Sequence, residues 1–126
     1  MNKNSEKPRI AVVGPCGAGK STLANQLRTY GLDVKEIAQE HSLAPAMWKR
    51  ITHPDILIFL DVSYPSSTLR KNFDWTEGEY AEQLRRLRHA RENYDIYIHT
   101  DNLTTEEVLQ ETLDQLDIGH LLSSDV

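Results

Sequence analysis

The sequence predicts an α/β protein, a three-layer αβα sandwich around a mainly parallel sheet. Three observations carry that expectation. Short apolar, β-branched runs alternate with stretches of helical periodicity along almost the whole chain. Residues 56–60, ILIFL, are apolar at every position, as a strand covered on both faces must be. A glycine-rich segment joins the first apolar run directly to the first amphipathic stretch. At 126 residues the chain fits one domain. That domain is expected over 9–118, between a polar arm at 1–8 and a frayed tail at 119–126.

Residues 10–13 form the first expected strand, and the glycines of 14–19 prevent its continuation. From Lys20 onward Leu23, Leu27 and Tyr30 recur at helical spacing, and Gly31 supplies a left-handed stop. Residues 32–37 read as a second strand with Leu32, Val34 and Glu36 on one face. Met47, Trp48 and Ile51 suggest a short helix that His53-Pro54 ends. The buried strand 56–60 follows, then a turn over 65–76 with a short helix around Leu69. A long helix is expected over 79–94, with Tyr80, Leu84, Leu87 and Tyr94 along its apolar stripe. Residues 96–99 make a further strand. Thr104 and Glu107 have capping-box spacing, ahead of a last helix buried through Val108, Leu109, Leu113 and Leu116.

Composition narrows the function. Hydrophobic residues are 39% and charged residues 26%, an ordinary globular balance. Lys and Arg number 14 against 19 Asp and Glu, a net charge of -5 that argues against a general binder of nucleic acid or anionic membrane. No apolar run approaches the ~20 residues that span a bilayer, and the opening MNKNSEKPRI lacks the apolar segment of a secretory signal. Cys16 is the one cysteine, so an internal disulfide is excluded and a reducing cytoplasm is the expected location. Trp48 and Trp75 read as core or rim packing, with ligand contact as the alternative for Trp75 near the expected lid, and the five histidines show no metal-ligand spacing on one helix.

Residues 14–21 read G-P-C-G-A-G-K-S and fit G-x-x-x-x-G-K-[ST], the phosphate-binding loop, at every defined position. Gly14, Gly17 and Gly19 let the backbone curl so that successive N–H groups converge on a phosphate. Pro15, Cys16 and Ala18 fill the variable positions. Lys20 supplies a mobile positive charge for the β- and γ-phosphates, and the Ser21 hydroxyl is a ligand for Mg²⁺. Thr22 continues into a helix whose dipole points its positive end at the same place. A chance match in a chain of this length is roughly 0.4%, taking Gly near 7%. Strand before and helix after supply the context the motif needs.

On these residues the sequence resembles the P-loop nucleoside triphosphatases. Within them it is most similar to the adenylate kinase-like group of nucleotide and nucleoside kinases, in a short form. Asp61 ends ILIFLD and Arg70 lies nine positions on, as in that group's late strand and adenine-facing arginine. QLRRLRHARENYDIYIHTDNLTTEEV follows the group's order of arginine-bearing helix, strand and base-bordering loop. The resemblance covers residues 9 to about 117. It implies the P-loop fold, ATP and Mg²⁺ as cofactors, and phosphoryl transfer. In that transfer Lys20 stabilises the transferred group, Arg86 assists from the lid side and Arg70 meets the base. Asp61, on a strand that the resemblance places one step later than the usual metal-binding strand, is a candidate to orient the metal through water or, alternatively, a strand-end residue capping the next turn.

The chain also departs from the group. It is compressed between Gly31 and Ile56, where an acceptor site and an acidic metal-side strand belong, and its lid is a few residues long. No N-K-x-D motif supports guanine. Glu36, at the carboxyl end of its strand, is the alternative metal-side acid to Asp61, with Glu40 and His41 following in the loop. The basic run of Arg85, Arg86, Arg88 and Arg91 has Glu82 and Glu92 as solvated helix partners. The expected reading is a small kinase-like phosphotransferase acting on an unidentified small-molecule acceptor. Its alternatives are a nucleotide-binding regulatory module and a slow ATPase. A homodimer that completes the shortened site stays open.

Overall fold

The structure, a computed structural model, describes residues 8–71 and 75–116. It is an α/β fold with a four-stranded, wholly parallel sheet and six α-helices among the described residues. Strands β1 (Arg9–Val13), β2 (Asp33–Glu36), β3 (Ile56–Asp61) and β4 (Ile96–His99) lie in the order β2-β1-β3-β4. Helices α1 (Lys20–Arg28), α2 (Met47–Thr52), α3 (Tyr64–Lys71), α4 (Glu77–Arg86), α5 (Arg88–Arg91) and α6 (Thr105–Leu116) connect or follow them, with a 3-10 turn at Gln39–His41. The expected tail lies outside the described residues, as does all of the expected arm but Pro8.

Register explains the two apolar layers. Ile10 pairs with Val34 and Ile56, and Ile58 with Ile96. Those side chains face α1 and α6, where Leu23, Ala24, Leu27, Val108 and Leu116 cover them. The alternate residues Ala11, Val13, Leu57 and Phe59 face Trp48 of α2, Ala90 of α5, and Leu87 between α4 and α5. Burial on both faces is why β1 and β3 read as unbroken apolar runs. Trp48 and Trp75 are both buried packing residues.

Four details correct the sequence reading. Helix α1 stops at Arg28, because the N–H groups of Thr29, Tyr30 and Gly31 bond the carbonyls three residues back at 2.9–3.1 Å. This tighter winding rotates Tyr30 off the buried stripe, leaving it 47% exposed. Strand β2 is four residues rather than six, although Ile37 N–H still bonds Val12 O at 3.0 Å. The expected long helix is two helices broken at Leu87, whose side chain is buried. At the break Gln39 Nε2 donates to Arg86 O at 3.2 Å, and Leu87 N–H is shared between the Gln83 and Leu84 carbonyls. The buried stripe is therefore Gln83, Leu87 and Ala90, and Tyr94 is exposed. On α6, Val108 and Leu116 are buried with Thr112 between them, while Leu109 and Leu113 are partly covered. The capping box is present: Thr104 N–H bonds Glu107 Oε1 at 2.8 Å and Glu107 N–H bonds Thr104 Oγ1 at 3.1 Å. Since all strands run the same way, their carboxyl ends bring 14–21, 36–41, 61–63 and 100–104 to one edge.

Candidate phosphate-binding site

The loop between β1 and α1 is shaped by its glycines. A Cβ at Gly14 would sit 2.1 Å from the Leu60 carbonyl oxygen, so β1 and β3 approach here as only glycine permits. Gly17 and Gly19 have φ of 88° and 95°, the left-handed region. Pro15 O accepts from Ala18 N–H and from Lys20 Nζ, both at 3.2 Å, which closes the turn. Gly19 is the N-cap of α1 and offers no side-chain cap, so the first amides of the helix face the loop's concavity. Cys16 to Thr22 line a cavity of about 650 Å³ in front of that concavity. Gly14 and Pro15 are not in its lining and act through the loop's shape.

The Lys20 side chain is 7% exposed, and its ammonium lies 3.1 Å from Glu40 Oε2. Glu40 comes from the turn after β2, brought close because β2 lies directly beside β1. Its Oε1 is buried and has no hydrogen-bond partner among the described residues. On the other wall Ser21 Oγ donates to Glu36 Oε1 at 2.7 Å. Glu36 is exposed to the cavity it lines, so its carboxylate stays hydrated. Cys16 is held by Gln83 of α4 through two bonds. Cys16 N–H donates to Gln83 Oε1 at 3.0 Å, and Gln83 Nε2 donates to Cys16 Sγ at 3.2 Å. His41 Nε2 stands 3.8 Å from that sulfur.

Arg70 of α3 also lines the cavity. Its guanidinium is committed to protein oxygens: Gly17 O at 3.1 Å, Thr100 Oγ1 at 2.7 Å, Thr100 O, and Asp101 O at 3.3 Å. It thereby straps the loop to the segment after β4. Leu103, Thr104 and Val108 of that region make the more apolar part of the cavity wall.

Two expected residues lie elsewhere. Asp61 is not in the cavity lining. Its Oδ1 accepts from Val62 N–H at 2.9 Å, and its Oδ2 accepts from Arg91 Nη1 at 3.0 Å and from the Tyr97 hydroxyl. Both oxygens of Asp61 are so occupied, whereas Glu36, at the carboxyl end of β2, lines the cavity and meets Ser21. Arg86 is also outside the lining, and its Nε bonds Glu82 Oε2 at 3.1 Å. Arg85 shares that carboxylate and Arg88 pairs with Glu92, so three of the four arginines in the basic run sit on a helix face with acidic neighbours. Gln83 gave no signal in the sequence, because the tyrosine and leucine stripe drawn along the helix passed it by. Thr100 likewise matched no motif.

The Asp61 cluster has a titration signature. Burial first, then the hydrogen bond to Asp61 and its charge, push the Tyr97 phenol from 10.0 up to about 12, against the Arg91 guanidinium. The folded protein keeps a proton that the unfolded chain releases near pH 10, so this contribution is complete below pH 10 and is lost as pH rises through about 12. Tyr97→Phe is expected to flatten the fall in unfolding free energy between pH 10 and about 12. Urea titrations at several pH values measure this; curves parallel to wild type would contradict it.

In comparison with known proteins, the chain matches no protein-family model and no curated protein sequence. No helix among the described residues is long and apolar enough to cross a membrane.

Proposed function

We propose that the protein binds Mg²⁺-ATP on a P-loop nucleoside triphosphatase fold and acts as a small kinase-like phosphotransferase. The observation that carries this reading is the left-handed glycine loop, with an uncapped helix start and Lys20 at one end of a cavity of about 650 Å³. That volume lies within the range of ligand-sized clefts. The phosphates would lie on residues 16–22, and the base against Leu103, Thr104 and Val108. Ser21 and Glu36 offer hard oxygen donors that suit Mg²⁺, which would offset charge on the terminal phosphates. Lys20 would stabilise charge on the transferred group, and catalysis would come from position and electrostatics.

A second reading, a nucleotide-binding regulatory module, is favoured by one specific feature. The stretch expected to hold an acceptor is packed rather than open. Gln39 is fully buried, donates from Nε2 to Ala44 O at 2.8 Å and accepts from Trp48 N–H at 2.8 Å. Of residues 36–51, Glu36, Glu40 and His41 reach the cavity.

Calorimetry with Mg²⁺ and a non-hydrolysable ATP analogue tests the shared premise. Wild type should give binding heat, and the double variant Lys20→Ala/Glu40→Gln, which leaves no unpaired buried charge, should lose at least about tenfold in affinity. Absence of heat in wild type overturns both readings. Acceptor-dependent turnover across nucleosides, nucleotides and small alcohols then selects the transferase; binding without it selects the module.

A further inference from the structure

The geometry points to a second cation site on the rim of the cavity, formed by Cys16, Glu40 and His41 and suited to Zn²⁺. This goes beyond the nucleotide reading and does not depend on it. One donor atom from each residue lies within 4.8 Å of the others. His41 Nε2 is 3.8 Å from Cys16 Sγ and 3.7 Å from Glu40 Oε2. With Zn–S near 2.3 Å and Zn–N near 2.0–2.1 Å, tetrahedral ligands stand about 3.5 Å apart. The groups therefore need to close by a few tenths of an ångström along both His41 edges, and by no more than about 1.3 Å along the Cys16–Glu40 edge, which is at most 4.8 Å.

Three further features support the site. Glu40 is 4% exposed; Lys20 engages Oε2, the oxygen 3.7 Å from His41 Nε2, while Oε1 has no hydrogen-bond partner among the described residues. A buried carboxylate in that condition bears a desolvation cost that a cation would offset. Gln83 fixes Cys16 by main chain and sulfur together, the outer-shell support that ligating sulfurs receive in metal centres. His41 has a side chain 60% exposed, which gives a cation a route in from solvent. Sulfur and imidazole select a borderline or soft ion, whereas Ser21 and Glu36 offer oxygen alone, so the two places discriminate between Zn²⁺ and Mg²⁺. On binding, Zn²⁺ forms a bond to the Cys16 sulfur, the thiol proton leaves to solvent, and a water completes the fourth position.

The test uses the full chain without an affinity tag, reduced and free of nucleotide. Co²⁺ added as a spectroscopic probe should produce a thiolate-to-metal charge-transfer band with tetrahedral visible bands at one equivalent, and Zn²⁺ should displace it. Cys16→Ser should abolish the charge-transfer band. His41→Gln, at an exposed position whose fold is checked by thermal melting, should weaken Zn²⁺ binding by more than the roughly tenfold to hundredfold typical of losing an outer-shell partner. No charge-transfer band in wild type, or equal Zn²⁺ affinity in wild type and His41→Gln, overturns the site. Because no nucleotide enters the measurement, its result is separate from the ATP experiment.

Discussion

Gly14→Ala is expected to destabilise the protein by more than about 3 kcal/mol, seen as a large drop in the urea midpoint of unfolding with an unchanged slope. The added methyl would lie 2.1 Å from Leu60 O and 3.1 Å from Leu60 C, well inside contact distance. Both atoms are backbone, in the middle of the sheet, so no rotamer change relieves the clash. Relief requires β1 and β3 to move apart, and these strands pair in register from Ile10–Ile56 to Val13–Phe59. Moving them disturbs both apolar layers, because Val12 and Leu60 face α1 while Val13 and Phe59 face Leu87 and Ala90. Gly19→Ala is the control: its φ of 95° carries strain, yet a Cβ there meets nothing within 4 Å. Its cost is expected near 1–2 kcal/mol. Equal midpoints for the two variants would remove the close approach as the reason for glycine at 14.

The second large effect is the coupling between Lys20 and Glu40. Both groups are nearly inaccessible and 3.1 Å apart. Lys20→Met leaves a buried carboxylate whose Oε1 already lacks a partner among the described residues, and removing one member of such a pair typically costs about 3–5 kcal/mol. Glu40→Gln strands the ammonium less severely, since Lys20 keeps its bond to Pro15 O. The double variant Lys20→Met/Glu40→Gln should recover most of the loss, giving a coupling of about 2–3 kcal/mol in a denaturation cycle. Additive single effects would mean that the two charges are screened in solution. The cycle also separates the ion pair from the proposed nucleotide contact of Lys20, because a fall in nucleotide affinity in the folded double variant cannot come from unfolding.

Local signals were legible and long-range ones were not. β1 and β3 announced themselves because burial on two faces needs consecutive apolar residues. The loop 14–21 and the Thr104–Glu107 box are short motifs in which neighbouring residues act on each other. Asp61 was assigned to the metal from its place at a strand end, but its role depends on Arg91 and Tyr97, which are 30 and 36 residues away. Glu40 reaches Lys20 only because β2 lies directly against β1, an adjacency that the sequence order leaves open. The break at Leu87 depends on an amide from Gln39, 47 residues from the carbonyl it binds, so periodicity alone drew one helix through it.

The paired bonds from Gln83 to Cys16 have a mechanical consequence. The amide belongs to the layer containing α4, whereas the loop it holds opens the layer containing α1, so one side chain bridges the sheet's rim between them. A push on the outer surface of α4, whether from a docking protein or a bulky adduct, is transmitted to the main chain at Cys16 without first deforming the sheet. Any displacement of α4 would thereby reach the cavity wall at Cys16 directly.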